Sequence, residues 1–422
     1  MSIATTSTRP VLAHRVAAAL ALSAGVILGA GAAIAAAPQP DIATLSYQDL
    51  KALVLSHPPE TLRRLGSHFI VGYHARGDLK PLLERGALGG VFVTARNVKR
   101  GNARQLAADI AGFRALHEPM ALRPLFIAAD QEGGVVSRLS PPLKRQPALA
   151  RVVAAARSAD ALDEAISAYA AAQGEGLARL GVNLNFAPVI DLKPRGRRRD
   201  GHTRLMQRAI AEDPEVVETV AGRYCEGLMD AGVLCTLKHF PGLRFVTTDT
   251  HARPAIVEAG RDRLEGKDWV PFRNLLATGE PALMIGHPRL VDVDPDKPAT
   301  LSQKVIGGIV RRDWAHDGLV ISDDLYMGAI RHAPGGLTAA AIDALNAGTD
   351  LLLVEHMGRH ILEMLHALVT AEKDGRLNVR LLAESQARLD RIAARFATAP
   401  FADGEPRPVP AVALPERRAR VE

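Results

Sequence analysis

The chain has 422 residues, of which 47% are hydrophobic, 23% charged and 4% aromatic. These proportions exclude a disordered or fibrous polypeptide, and the length suits one large barrel-type domain or two average ones. Setting 52 Lys and Arg against 46 Asp and Glu leaves +6, too even for a nucleic-acid binder, and two cysteines exclude a disulfide scaffold or an all-cysteine metal site.

At the N-terminus, Arg9, His14 and Arg15 precede an apolar run from Val16 to Ala37 that closes in small residues before Pro38. A basic start, an apolar middle and an Ala-x-Ala-like end have the form of a secretory signal over residues 1–37. The run is also long enough for a membrane anchor, although Ala and Gly dominate it. Export to the periplasm or the medium is the expectation, with an inner-membrane anchor through residues 16–37 as the alternative.

Short apolar runs then alternate with longer amphipathic ones. The short runs are Ser67–Tyr73, Gly89–Thr94, Pro124–Asp130, Val182–Asp191, Val233–Phe240, Ala282–His287, Gly318–Asp323 and Thr349–Val354. They are apolar or β-branched throughout, as strands covered on both faces require. Helical patterns fall between them, including Asn102–His117, Ser158–Leu180, Asp213–Ala231, Arg261–Thr278 and Gln303–Trp314. Gly181, Gly232 and Gly348 stand where a helix ends and the next strand begins. Eight strand–helix units over residues 41–400 predict an α/β fold, a single (β/α)8 TIM-type barrel. A doubly wound open sheet is the alternative, but no Gly-x-Gly-x-x-Gly follows the first strand. Residues 404–422, rich in Pro, Arg and Ala, read as a disordered tail.

A barrel carries its site at the C-terminal ends of its strands. Asp130, Asp191, Lys238, His239, His287, Asp323 and Asp324 all stand at such ends. There is no Gly-x-Ser-x-Gly, no phosphate loop and no His-Glu-x-x-His, which leaves carboxylates and histidines to do the chemistry. His239, Asp249, His251 and His287 are candidate metal ligands, but without a metal-binding motif neither a metal nor a cofactor is expected. A carboxylate paired with a proton shuttle points to glycoside hydrolysis.

The stretch Lys238-His-Phe-Pro-Gly242 followed by Asp249-Thr-His251 resembles the β-N-acetylglucosaminidases of glycoside hydrolase family 3. Asp130-Gln-Glu-Gly-Gly134 with Arg138, Phe186-Ala-Pro-Val189 with Asp191, Gln207-Arg208-Ala209 with Asp213-Pro214, and Ser322-Asp323-Asp324-Leu325 are similar to the same family. The resemblance extends from about Gly89 to Val354. It implies that Asp323 is the nucleophile, that His251 is the acid/base oriented by Asp249, and that Asp130, Arg138, Arg208, Lys238 and His239 grip a terminal N-acetylglucosamine. It also implies an exo-acting retaining β-N-acetylhexosaminidase working on peptidoglycan-type fragments, with a carbohydrate as its partner. A monomer is the expectation, although the sequence does not carry the oligomeric state.

The local spacing agrees. Asp249 and His251 are two apart, so in extended chain both side chains face one way, and a carboxylate beside an imidazole fixes its tautomer. The loop Leu243–His251 is expected to close over substrate. Leu243-Arg244 departs from the family's His-Gly, and either a substrate contact by Arg244 or a reshaped loop would follow. Thr250 replaces a Ser, and Ile210 stands where the family commonly has an aromatic.

Other residues have plainer readings. Asp324 reads as a cap for the following helix, Asp191 as structural, Glu355 as surface, and His287 as divided between cleft lining and core. Cys225 and Cys235 read as separate small buried residues rather than a bridge, and Trp269 and Trp314 as outer packing. Arg195–Arg199 reads as a solvated loop or, on the site face, as an attractor of acidic glycans. A family 3 β-glucosidase is the alternative enzyme; by resemblance those commonly take a carboxylate acid/base from a second domain, whereas here Asp249-Thr-His251 would do that work within the barrel. A catalytically weakened glycan-binding protein is the non-enzyme alternative.

Overall fold

The computed structural model describes residues 41–98, 102–194 and 203–396. The run Val16–Ala37, the run Arg195–Arg199 and the stretch from Gly404 lie outside the described residues. Ile42–Thr44 form one 3-10 turn.

Eight parallel strands form a single sheet: β1 Phe69–Gly72, β2 Gly90–Val93, β3 Phe126–Ala129, β4 Leu184–Asn185, β5 Leu234–Phe240, β6 Ala282–Ile285, β7 Val320–Ser322 and β8 Leu352–Val354. Each lies within one of the runs expected from the sequence. The last strand pairs with the first, Phe69 opposite Leu352. Between β7 and β8 a bridge at Ile321 and Leu351 completes the circuit, so the sheet curls into a barrel as expected. All eight strands are buried along their length, which is why they read as unbroken apolar runs rather than as alternation.

The predicted helices surround the barrel. Asn102, Ser158 and Asp213 cap theirs, each side chain accepting a backbone N–H of the first turn. Gly181, Gly232 and Gly348 adopt positive φ of 85°, 79° and 106° after helices, as their placement foretold. Two helical patterns are wound more widely than expected: Leu264–Asp268 and Lys304–Asp313 are π-helical. A two-stranded antiparallel hairpin not foreseen from the sequence, Gln131–Gly133 with Val136–Ser137, follows β3 on the site side.

The reading of the cysteines as separate thiols is corrected. Cys225 and Cys235 form a disulfide, with Cα atoms 5.4 Å apart. The helix Pro214–Asp230 ends at the turn containing Gly232, and β5 runs back beneath it. That reversal brings two residues only ten apart face to face in the buried layer.

Trp269 is wholly buried, and its indole N–H donates to the Pro241 carbonyl at 2.8 Å. It packs on Phe240, ring centroids 5.2 Å apart, so it supports the end of β5 from the helix layer.

Candidate active site

A cavity of about 450 Å³ opens at the C-terminal ends of the strands, within the size range of small-molecule sites. Asp130, Arg138, Arg208, Lys238, His239, His251 and Asp323 all line it. Seven of the eight residues singled out from the sequence therefore converge on one space. The eighth, Asp249, stands behind His251.

One wall is a charge network rooted in β5 and the hairpin. Lys238 Nζ is 2.6 Å from Asp130 Oδ1 and 2.7 Å from Glu132 Oε1. Arg208 grips the same Glu132 with two nitrogens, at 2.8 and 2.6 Å, and donates to the Thr203 carbonyl at 2.8 Å. Burial alone would push the Glu132 carboxyl up, but Arg208 and Lys238 outweigh it and hold it well below the usual carboxylate range. Glu132 was not among the residues chosen from the sequence. It lies two after Asp130 in a hairpin strand, so that spacing carried a readable signal.

His239 completes this wall. Its Nδ1 is 2.8 Å from Asp191 Oδ2, and Asp191 also accepts the backbone N–H of His239 at 3.0 Å and of Leu243 at 2.7 Å. Asp191 is therefore structural, as read, and fixes which imidazole nitrogen faces Arg208, 3.4 Å from Nε2.

A second part of the lining comes from the loop after β5. His251 Nδ1 is 2.8 Å from Asp249 Oδ1, and the same oxygen accepts the His251 backbone N–H at 3.0 Å. Half of the His251 side chain is exposed, 51%. The loop is tied down at both ends. Leu243 packs with Val189, Leu205 and Ala209, while Gly328 N–H donates to the His251 carbonyl at 2.9 Å and Ala329 N–H to that of Thr250 at 3.1 Å. Arg244 turns inward, 7% exposed and 3.4 Å from Asp268, so the Leu243-Arg244 departure anchors the loop instead of lining the cleft.

Asp323 sits at the end of β7, between these walls. Burial would raise its carboxyl, but His287, His239, the Asp324 N–H and His251 together hold it below the usual carboxylate value. That N–H donates to Asp323 Oδ1 at 2.9 Å. Asp324 does not cap a helix as expected. Its Oδ1 accepts from Tyr326 N and Glu355 N, both at 3.0 Å, joining the ends of β7 and β8. Burial pushes its carboxyl up to about 6, assisted by Asp323 and Glu355. Glu355 lines the cavity beside Arg96, 3.5 Å away, with its side chain partly exposed. His287 is a core residue, 1% exposed.

Apolar Phe92, Phe186, Met284 and Leu353 line the cavity among these charges. Among the described residues, no three His, Cys, Asp or Glu side chains group as a metal site.

Fold and cleft together define a (β/α)8 barrel whose strand ends open into a cavity lined by carboxylates, imidazoles and basic side chains. Residues 59–392 match the glycosyl hydrolase family 3 N terminal domain. The β-hexosaminidase of Stenotrophomonas maltophilia (strain K279a) is 35% identical over 306 residues, 71% of this chain and 85% of that protein. The β-hexosaminidase of Xylella fastidiosa (strain M23) is 37% identical over 275 residues, 65% of this chain and 78% of that protein. Among solved structures, the family 3 β-N-acetylglucosaminidase of Paenibacillus sp. str. FPU-7 superposes with a TM-score of 0.72 at 30% identity, covering 86% of this chain and 66% of that one. A family 3 glycosyl hydrolase of Mycobacterium smegmatis superposes with a TM-score of 0.70 at 28% identity, covering 80% of this chain and 98% of that one. The chain belongs to glycoside hydrolase family 3 and is a glycoside hydrolase of the β-hexosaminidase type.

Proposed function

We propose that the protein removes a terminal, non-reducing β-linked N-acetylglucosamine by a retaining, two-step displacement. The observation that carries this reading is one cavity lined by both Asp323, a carboxylate kept anionic, and His251, an imidazole oriented by Asp249. In the first step Asp323 attacks the anomeric carbon while His251 protonates the departing oxygen. In the second, His251 takes a proton from water, which displaces the sugar from Asp323. With Nδ1 engaged by Asp249, proton exchange falls to Nε2. Asp130, Arg138, Arg208, Lys238 and His239 bind the sugar; four of them are already held by partners within the wall, so little ordering accompanies binding.

Fragments of peptidoglycan are the proposed substrates, and the proposed place of action is outside the cytoplasm. The apolar run Val16–Ala37 and the buried Cys225–Cys235 bridge both support export, since such bridges persist in oxidising compartments.

The test compares nitrophenyl β-N-acetylglucosaminide with nitrophenyl β-glucoside and follows the first product by proton NMR. The acetamido substrate is expected to react far faster and to release the β-anomer first. Preference for the glucoside would make the protein a β-glucosidase, no turnover of either would make it a binding protein, and an initial α-anomer would rule out retention.

A further inference from the structure

His287 takes no part in the mechanism just described, yet its surroundings define its charge. It follows β6 and is 1% exposed, so water cannot complete its hydrogen bonds. Nε2 lies 2.9 Å from the Asp324 backbone carbonyl, which can only accept. Nε2 therefore carries a proton. Nδ1 lies 2.8 Å from Thr300 Oγ1. That hydroxyl has one proton, and it is 2.6 Å from the Gly286 carbonyl and 3.2 Å from that of Ile285. An O···O approach of 2.6 Å between a hydroxyl and a carbonyl requires the proton between them. The hydroxyl thus has only lone pairs to offer Nδ1, and Nδ1 must donate as well. A ring that donates from both nitrogens is an imidazolium.

We propose that His287 is a permanently charged positioning residue that holds a cation behind the carboxylate of Asp323; this rests on the reading of Asp323 as the nucleophile. The charged and titratable groups facing it are Asp323 at the end of β7, His239 at the end of β5 and His251 on the loop, and Asp324 meets it through its backbone carbonyl. Burial, with the two histidines, holds the imidazole below its ordinary value despite the opposing pull of Asp323 and the Asp324 carbonyl. The hydrogen-bond geometry decides the matter. A neutral ring would leave an acceptor facing an acceptor in a place no water reaches, which carries the penalty of an unmade buried hydrogen bond.

The consequence differs between the two steps. In the first, the Asp323 carboxylate gives an electron pair to the anomeric carbon and loses its charge, so a cation behind it offers no help. In the second, water's oxygen bonds to the anomeric carbon and the bond from that carbon to the Asp323 oxygen breaks. The electron pair returns to the carboxylate, and the water proton passes to His251. A cation behind Asp323 stabilises the charge that reappears and makes the carboxylate a better leaving group.

The experiment has three arms on the full protein. Histidine-labelled 15N NMR is expected to show both nitrogens of His287 protonated between about pH 6 and 8, where an ordinary imidazole titrates; a neutral tautomer there overturns the proposal. His287→Gln keeps a donor but removes the charge. It is expected to raise the acid limb of kcat/KM by about one pH unit. It should also lower kcat and KM together, because the glycosyl-enzyme accumulates. Thr300→Val, which removes the acceptor at Nδ1, should do the same more weakly, and Thr300→Ser should restore the wild-type profile. An equal loss of activity at every pH, with no shift of the limb in either variant, would make His287 merely structural and overturn the proposal. Trapping with a fluorinated N-acetylglucosaminyl fluoride and peptide mapping tests the parent reading separately. A label away from Asp323 would remove the nucleophile, while the NMR arm would still report the charge of His287.

Discussion

The two walls of the cleft are built in opposite ways. The wall of Asp130, Glu132, Arg208 and Lys238 is sunk and cross-braced, with Lys238 and Glu132 side chains only 3% and 5% exposed. The wall of Asp249 and His251 is a loop, and the His251 side chain is 51% exposed. Its tip is held to the barrel by two backbone hydrogen bonds, from Gly328 and Ala329. The contrast follows from the tasks proposed for them. A binding wall gains from being ordered before the sugar arrives, whereas a group that trades protons with a leaving oxygen and with water has to stay in reach of both.

Asp323 stands between the walls and serves both, so its loss is expected to be the largest effect. Asp323→Ala should lower turnover of the nitrophenyl N-acetylglucosaminide by about 10⁴-fold or more, with an unchanged circular dichroism spectrum. Near-wild-type turnover would remove Asp323 from the chemistry.

On the loop side, His251→Ala should cost about 10²–10⁴-fold with a disaccharide, whose leaving oxygen needs a proton, and much less with an aryl leaving group. Azide should rescue the aryl reaction and yield a β-glycosyl azide. Equal losses on both substrates without rescue would turn His251 into a binding residue and erase the contrast between the walls.

On the braced side, Glu132→Gln should destabilise the fold by about 3–5 kcal/mol in urea titrations, because Arg208 and Lys238 lose their shared buried partner. Its pH signature has a defined sign. Folding lowers the Glu132 carboxyl below its ordinary 4.5. The stability this contributes is present above pH 4.5 and is lost as pH falls toward the folded value. The variant should therefore show a flatter stability curve in acid than the wild type; an equally steep curve would show that Glu132 is not what acid titrates.

Smaller effects sharpen the comparison. Cys225→Ser opens a bridge of sequence separation 10 that ties β5 to its preceding helix. A loss of about 2–3 kcal/mol is expected, at an unaltered leaving-group dependence. Gly328→Ala should act on the other wall. A Cβ there would collide with the Ala252 carbonyl oxygen and lie 2.8 Å from that of His251. The loop must shift, and kcat should fall about 10- to 100-fold while the melting temperature changes little. If Gly328→Ala weakened substrate binding instead, the loop would belong to the binding wall.

Much of this architecture was legible from local pattern. A strand buried on both faces announces itself as an apolar run, which is why all eight strands lie inside runs visible in the sequence. The end of such a run in a barrel faces the site, so Asp130, Lys238, His239 and Asp323 were placed by position alone and given roles by resemblance. Glycines past helix ends marked the reversals at 181, 232 and 348.

What stayed hidden depends on partners distant in the chain or on the direction a side chain takes. Glu132 matters because Arg208 and Lys238 both reach it, and neither meeting is written in the segment Asp130–Gly134. For Arg244 the sequence leaves a substrate contact and a reshaped loop both open, and only the π-helical turn carrying Asp268, which draws the side chain inward, decides between them. Cys225 and Cys235 pair because a helix folds back over its own next strand, a fact of packing that composition does not carry. The charge of His287 turns on a single hydroxyl proton shared among Thr300, Gly286 and Ile285. Periodicity reports which residues are buried, because burial acts on each residue in turn. Which buried groups meet is decided only when the chain closes on itself, because hydrogen bonds and ion pairs act over a few ångströms between atoms the sequence keeps far apart.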